Sequence, residues 1–184
     1  MRVIGGVLKG KRLCPIRGLT IRPTTDYLRE AIFNILADRV EDAVVLDLFA
    51  GTGSLGIEAL SRGAATAVFV DKGPQAIKLL TRNICACCLE GRSTILRRDI
   101  LRGLNFLKSI DSPFELVFID PPYERGFVER TLRFLDVAES ISDRVSVVIE
   151  HSRRELISEN TTRFVLTDQR HYGSTLVSFY GAVL

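Results

Sequence analysis

The chain has 184 residues, 46% hydrophobic and 26% charged, with a formal net charge of +3. That length suits one ordinary domain with a sizeable core, and the composition excludes disordered and fibrous classes. No apolar run approaches the ~20 residues of a spanning helix, and the opening "MRVIGGVLKGKR" lacks the apolar core of a secretion signal, so a cytoplasmic location is expected.

The first segment is basic. Residues 1–30 hold Arg2, Lys9, Lys11, Arg12, Arg17, Arg22 and Arg29 against Asp26 and Glu30, which leaves a net −2 for the other 154 residues. Such an arm is either a solvated face or a surface that meets phosphates. "RVIGG" and "GKRL" predict two short strands around a Gly-rich turn, followed by the loop "CPIRGLTIRP". Thr24 or Thr25 then caps a helix to about Asp38, with Leu28, Ile32, Ile35 and Leu36 on its apolar side.

From there strands and helices alternate. "AVVLDLF" reads as a buried strand, "GSLGIEALSRG" as a helix stopped by Gly63, and "TAVFVD" as a second strand. "PQAIKLLTRNICACCLE" opens a helix with proline in its first turn. "STILRRD" and "ELVFID" are strands three and four, "FVERTLRFLDV" a helix and "VSVVIE" a fifth strand. The tail holds two strands joined at "HYGS", too close together for anything but antiparallel neighbours. Cys14, Cys85, Cys87 and Cys88 read as free thiols in a reducing compartment, and no metal site is expected.

Alternating strands and helices predict an α/β fold with a parallel sheet covered on both faces. With one reversed strand near the end, the expected sheet resembles the seven-stranded, Rossmann-like sheet of class I methyltransferases. Ligands of such sheets sit at the carboxyl ends of the strands. Four of those ends carry an acid: Asp47, Asp71, Asp99 and Asp120. "GTGSLG", Gly51 to Gly56, matches a dinucleotide turn, with Asp71 placed 20 residues after Gly51. Asp47, four residues before that turn, would repel dinucleotide phosphates but suits the ammonium and sulfonium of S-adenosylmethionine. No residues remain for the substrate domain that many dehydrogenases carry. The cofactor contacts expected on this reading are Asp47, Phe49, Ala50, Gly51, Thr52, Gly53 and Gly56, then Asp71 with Lys72 for the ribose and Asp99 with Ile100 for adenine.

The fourth strand ends in "FIDPPY". Two prolines fix φ and remove two backbone donors, which leaves carbonyls and the Asp120 carboxylate as acceptors held in a stiff turn. Tyr123 adds a flat ring. "LDLFAGTGSLGIEALSRGA" with this tetrad resembles amino-group methyltransferases. "GLTIRPTTDYLREAIFNIL" and "RHYGSTLVSFY" resemble one branch, the bacterial enzymes that methylate a guanine N2 amino group in small-subunit ribosomal RNA. The resemblance runs over nearly the whole chain. It implies S-adenosylmethionine as cofactor, Asp120, Pro121, Pro122 and Tyr123 as the catalytic tetrad, and RNA as substrate. Lys11, Arg12, Arg22 and Arg29 are the expected RNA contacts. The chain reads as one methyltransferase domain, with residues 1–40 a hairpin-and-helix extension of a core over 41–184. Two other readings stand beside it: an adenine-N6 methyltransferase acting on RNA or DNA, and a non-catalytic RNA-binding ribosome assembly factor.

Overall fold

The apolar runs become strands in the expected chain order. In the computed structural model, which describes residues 1–15, 25–110, 112–123 and 125–183, they are β1 (Val44–Leu48), β2 (Thr66–Asp71), β3 (Ser93–Arg97), β4 (Phe114–Ile119), β5 (Ile141–Ser152), β6 (Phe164–Tyr172) and β7 (Thr175–Ala182). They form one sheet in the order β3-β2-β1-β4-β5-β7-β6. The first five run parallel, and β7 is reversed between β5 and β6. The reversal is set locally. Gly173 and Ser174 alone separate β6 from β7, and Gly173 takes φ +64° to make that turn.

Side-chain alternation along the strands divides the core in two. Val45, Leu116, Phe118, Val148 and Val177 face one apolar cluster, while Leu46, Leu48, Val117, Ile119 and Ile149 face the other. Helices α1 (Asp26–Leu36), α2 (Ser54–Ser61) and α3 (Pro74–Ala86) contribute to the first cluster, and α4 (Phe127–Asp136) to the second. Helices on both faces explain why the inner strands are apolar at nearly every position.

α1 begins where its cap predicts: the Thr25 hydroxyl accepts from Leu28 N at 3.2 Å, and Asp26 places a negative charge in the first turn. Its buried face differs from the expected one. Leu28, Ile32 and Leu36 point inward with Arg29 and Phe33, whereas Ile35 is 36% exposed. Phe33 packs on Phe118 of the sheet with ring centroids 5.6 Å apart. A charged residue on the inner flank hid this face from the sequence pattern. α3 also stops earlier than expected, at Ala86, because Cys88 takes φ +55° and turns the chain.

The N-terminal hairpin is a single antiparallel bridge between Arg2 and Arg12, without the two short strands expected there. It is fastened to α2. Buried Glu58 accepts from the Ile4 and Gly5 amides at 2.8 and 2.7 Å and pairs with Arg62 at 2.8 Å. Gly6 must be glycine for this docking, since its φ is +71° and a Cβ would lie 1.8 Å from the Ser61 carbonyl oxygen.

Candidate active site

After β1 the chain moves to β2 and β3 on one side, then returns to lay β4 on the other. The loops leaving β1 and β4 therefore diverge at one point, which opens a crevice at their carboxyl ends. Leu48 pairs with Ile119, and the Asp120 amide donates to the Leu48 carbonyl at 3.5 Å. The "FAGTG" turn and the D-P-P-Y turn thus leave the sheet side by side.

The first turn carries three left-handed residues in five: Phe49 (φ +61°), Gly51 (+54°) and Gly53 (+79°). Phe49 is not glycine, so its conformation costs ~1–3 kcal/mol and must be held by its surroundings. Its ring stacks on Phe127 at 6.2 Å, and the next amide, Ala50 N, donates to the Val70 carbonyl at 3.0 Å. Gly53 N donates to Ala50 O at 2.7 Å, closing the turn. Gly56 has a packing role in addition to the expected one. A Cβ there would lie 2.3 Å from the Phe69 ring, so only glycine lets α2 come close enough for its N–H to reach Asp47.

Each acid at a strand end is tied to the backbone. Asp47 is 2% exposed, and its Oδ2 accepts from Gly56 N at 2.9 Å. Burial pushes its pKa up to about 7; the Gly56 hydrogen bond opposes this and the Asp71 charge adds to it. Asp71 accepts from Gly51 N at 3.0 Å and from Gly73 N at 2.7 Å, so one carboxylate joins the loops after β1 and β2. Each of its oxygens keeps a second lone pair for a ligand hydroxyl. Asp99 accepts from Leu101 N at 3.2 Å and lies 3.7 Å from the ammonium of Lys72, itself 61% exposed at the edge. Ile100, expected against the adenine ring, is 2% exposed and packs in the second core cluster.

In the second turn Asp120 is half-buried, Pro121 buried and Pro122 exposed. The Tyr123 hydroxyl donates to Glu150 Oε1 at 2.7 Å and lies 3.2 Å from Thr175 Oγ1. Burial and the neighbouring Glu150 carboxylate push that hydroxyl well above the usual tyrosine range. Glu150 and Thr175, both 5% exposed, were not anticipated as site residues. A signal existed, because "VSVVIE" ends in an acid just as the other four strands do. Asn83 gave no such signal. It is 1% exposed and joins Cys14 (N at 2.8 Å, O at 3.2 Å) to the Thr52 carbonyl at 2.9 Å, which braces the glycine turn from behind.

The basic residues do not gather as the sequence suggested. Lys11 and Arg12 are exposed on the hairpin, and Lys11 lies close enough to Cys87, after α3, to offset part of the rise that burial gives that thiol. Arg22 lies outside the described residues. Arg29 is a correction: it is 0% exposed, paired to Asp26 at 2.8 Å and donating to the Arg2 carbonyl at 2.6 Å, and so cannot reach a phosphate. Among the described residues no group of three or more His, Cys, Asp or Glu side chains is placed to hold a metal ion.

Residues 1–181 match the family described as "Conserved hypothetical protein 95". The chain is 36% identical to "Ribosomal RNA small subunit methyltransferase D" of Escherichia coli (strain K12), over 82% of this chain and 74% of that protein. The chain belongs to this family. It is also 36% identical to YlbH of Bacillus subtilis (strain 168), over 98% of both chains. The solved structure of yhhF from Escherichia coli superposes with a TM-score of 0.86 at 32% identity, covering 99% of this chain and 97% of that one. The fold of this family member is the class I methyltransferase fold, with β7 as its reversed strand. S-adenosylmethionine is the cofactor expected for the methyltransferase activity that the Escherichia coli relative's name carries. The donor set fits that group: a buried acid beside a glycine turn for its cationic end, and two partly exposed acids, Asp71 and Asp99, as acceptors for hydroxyl and amino groups.

Proposed function

We propose that the protein methylates the exocyclic N2 amino group of a guanine in small-subunit ribosomal RNA, acting in the cytoplasm as one domain in which residues 1–40 extend a catalytic core over 41–184. The observation that carries this reading is the adjacency of two turns. Asp120, Pro121 and Tyr123 stand beside the Phe49–Gly53 turn because Leu48 and Ile119 are neighbours in the sheet. The ribosomal RNA activity named for the family's Escherichia coli member supports the substrate class.

When bound, S-adenosylmethionine supplies an electrophilic methyl group on a sulfonium. Asp47 would face its cationic end, Asp71 with Lys72 its ribose, and Asp99 its adenine. Phe49, Ala50, Gly51, Thr52 and Gly53 shape the floor.

The protein's own task is the nucleophile. An exocyclic amine is a poor one, because its lone pair is delocalised into the purine. The Asp120 carboxylate and the Pro121 carbonyl accept its two N–H bonds and favour a pyramidal nitrogen. Two proline rings keep these acceptors from reorienting, so little reorganisation is needed at the moment of reaction. The carboxylate also stands ready for the proton that the methylated nitrogen sheds. Tyr123 stacks on the base, which must be unpaired or turned out of a helix to enter.

The test is mass spectrometry of ribosomal RNA digests after incubation with the protein and labelled cofactor. N2-methylguanosine is expected, and Asp120→Ala should abolish it while leaving cofactor affinity nearly intact, since the lost contacts are those of the transition state. N6-methyladenosine in the digest would overturn the guanine assignment, and near-normal turnover by Asp120→Ala would overturn the mechanism.

A further inference from the structure

The D-P-P-Y turn accounts for one base, yet an RNA substrate presents its neighbours as well. Among the described residues, the aromatic side chains counted as exposed are Tyr123, at 37%, and Tyr27, at 71%. They lie on the same rim. The Tyr123 hydroxyl is 3.2 Å from Thr175 Oγ1. Thr175 pairs directly across the ladder with Tyr172, and side chains opposite one another on antiparallel strands share a face. Tyr172 in turn meets Tyr27, the second residue of α1, edge to face, with centroids 6.0 Å apart and planes at 73°. A row of side chains therefore runs from the catalytic turn across β7 and β6 to the start of α1.

Packing explains Tyr172, which is half-buried against the first core cluster. It does not explain Tyr27, whose ring is left largely in water. Exposed arginines stand on this rim beside the carboxylates of Asp26 and Asp168. Arg153 and Arg154 are exposed in the turn after β5, and Arg153 N donates to the Ser174 carbonyl at 3.2 Å, which brings that turn against the β6–β7 connection. Arg170 is also exposed there, paired with Asp168 at 2.9 Å.

We propose that Tyr27 and Tyr172, flanked by Arg153 and Arg154, form a stacking platform for an unpaired nucleotide next to the target base, with the two arginines taking its phosphates. This rests on the reading that the substrate is RNA. Aromatic faces hold unpaired bases with little sequence preference, and cations beside them follow the backbone.

The test uses the full chain with unmethylated small-subunit ribosomal RNA, both protein-free and in assembled particles. Tyr27→Ala should raise KM for RNA about tenfold, with kcat, cofactor affinity and Tm unchanged. Tyr27→Phe should behave as wild type, because the ring suffices. Arg153→Ala with Arg154→Ala should lower the salt slope of RNA binding by about 1–2. A photo-reactive benzophenone side chain introduced at position 27 should crosslink to ribosomal RNA. Wild-type KM in Tyr27→Ala, or a crosslink to a ribosomal protein instead, overturns the platform. A wild-type enzyme inactive on both substrates overturns the RNA reading beneath it.

Discussion

Tyr123 and Glu150, 27 residues apart in sequence, are joined by a 2.7 Å hydrogen bond in which the phenol donates to a carboxylate only 5% exposed. The bond places the aromatic ring before any substrate arrives. On stacking alone, Tyr123→Phe should be mild, and this bond reverses that expectation. Phenylalanine would leave a buried carboxylate without this donor, at a cost of ~1–3 kcal/mol. For a chain of this length each kcal/mol lowers Tm by roughly 2–4 °C. Tyr123→Phe is expected to show that fall in calorimetry together with a lower kcat, while Glu150→Gln, which keeps an acceptor, should retain more of both. Tyr123→Ala should be severe, since it also loses the ring. A Tyr123→Phe enzyme with unchanged Tm and kcat would refute the anchoring role.

Asp71 is predicted to act on two levels. It should hold ribose hydroxyls, and it already joins Gly51 to Gly73. Asp71→Ala is expected to weaken S-adenosylmethionine binding by ~1–3 kcal/mol and to lower Tm as well, because two amides lose their acceptor. Titration calorimetry and thermal unfolding separate the two effects. Tight NAD binding in the same calorimetry would contradict the cofactor preference.

Asp47 gives a pH dependence with a definite sign. Its folded pKa is raised from 3.8 to about 7, chiefly by burial. The folded state therefore holds a proton that the unfolded chain releases. The stability linked to this group is fully present below about pH 4 and is lost as pH rises toward 7. Cofactor binding runs the other way. A cation next to Asp47 favours the ionised form, so affinity should rise about tenfold per pH unit up to about 7 and then level off. Asp47→Asn should flatten that profile and weaken binding above pH 7. A flat wild-type profile between pH 5 and 8 would remove Asp47 from the cofactor's neighbourhood.

Arg29 and the hairpin cations should separate cleanly. Arg29→Ala removes a buried side chain and its hydrogen bond to the Arg2 carbonyl, while the partly exposed Asp26 keeps its pair with Arg2, a change that costs ~1–3 kcal/mol. Its expected signature is a lower Tm. Lys11→Ala with Arg12→Ala should leave Tm unchanged and reduce the salt slope of RNA binding by up to about 2. An unchanged slope would return the hairpin to a merely solvated face.

Much of this protein was determined by the sequence itself. The alternation of apolar runs with amphipathic stretches specified seven strands and their helices, because side-chain period and burial are local properties of the chain. Gly173 specified the reversed strand for the same reason. Acids at the ends of "LDLF", "VFVD" and "VFID" marked the crevice, since parallel strands bring their carboxyl ends to one edge whatever the pairing order. Tertiary structure decided the rest, and the separations show why. Glu58 reaches back 54 residues to Ile4, and Asn83 reaches 69 residues to Cys14. Neither polar side chain has a local pattern that names its partner. Arg29 shows the same limit from the other side. Its charge reads as surface in any linear pattern, and only the docking of the hairpin onto α1, which supplies the Arg2 carbonyl beside Asp26, makes its burial affordable. Packing of distant segments sets the dielectric around each charge, and that is what separates a contact with solvent from a support inside the fold.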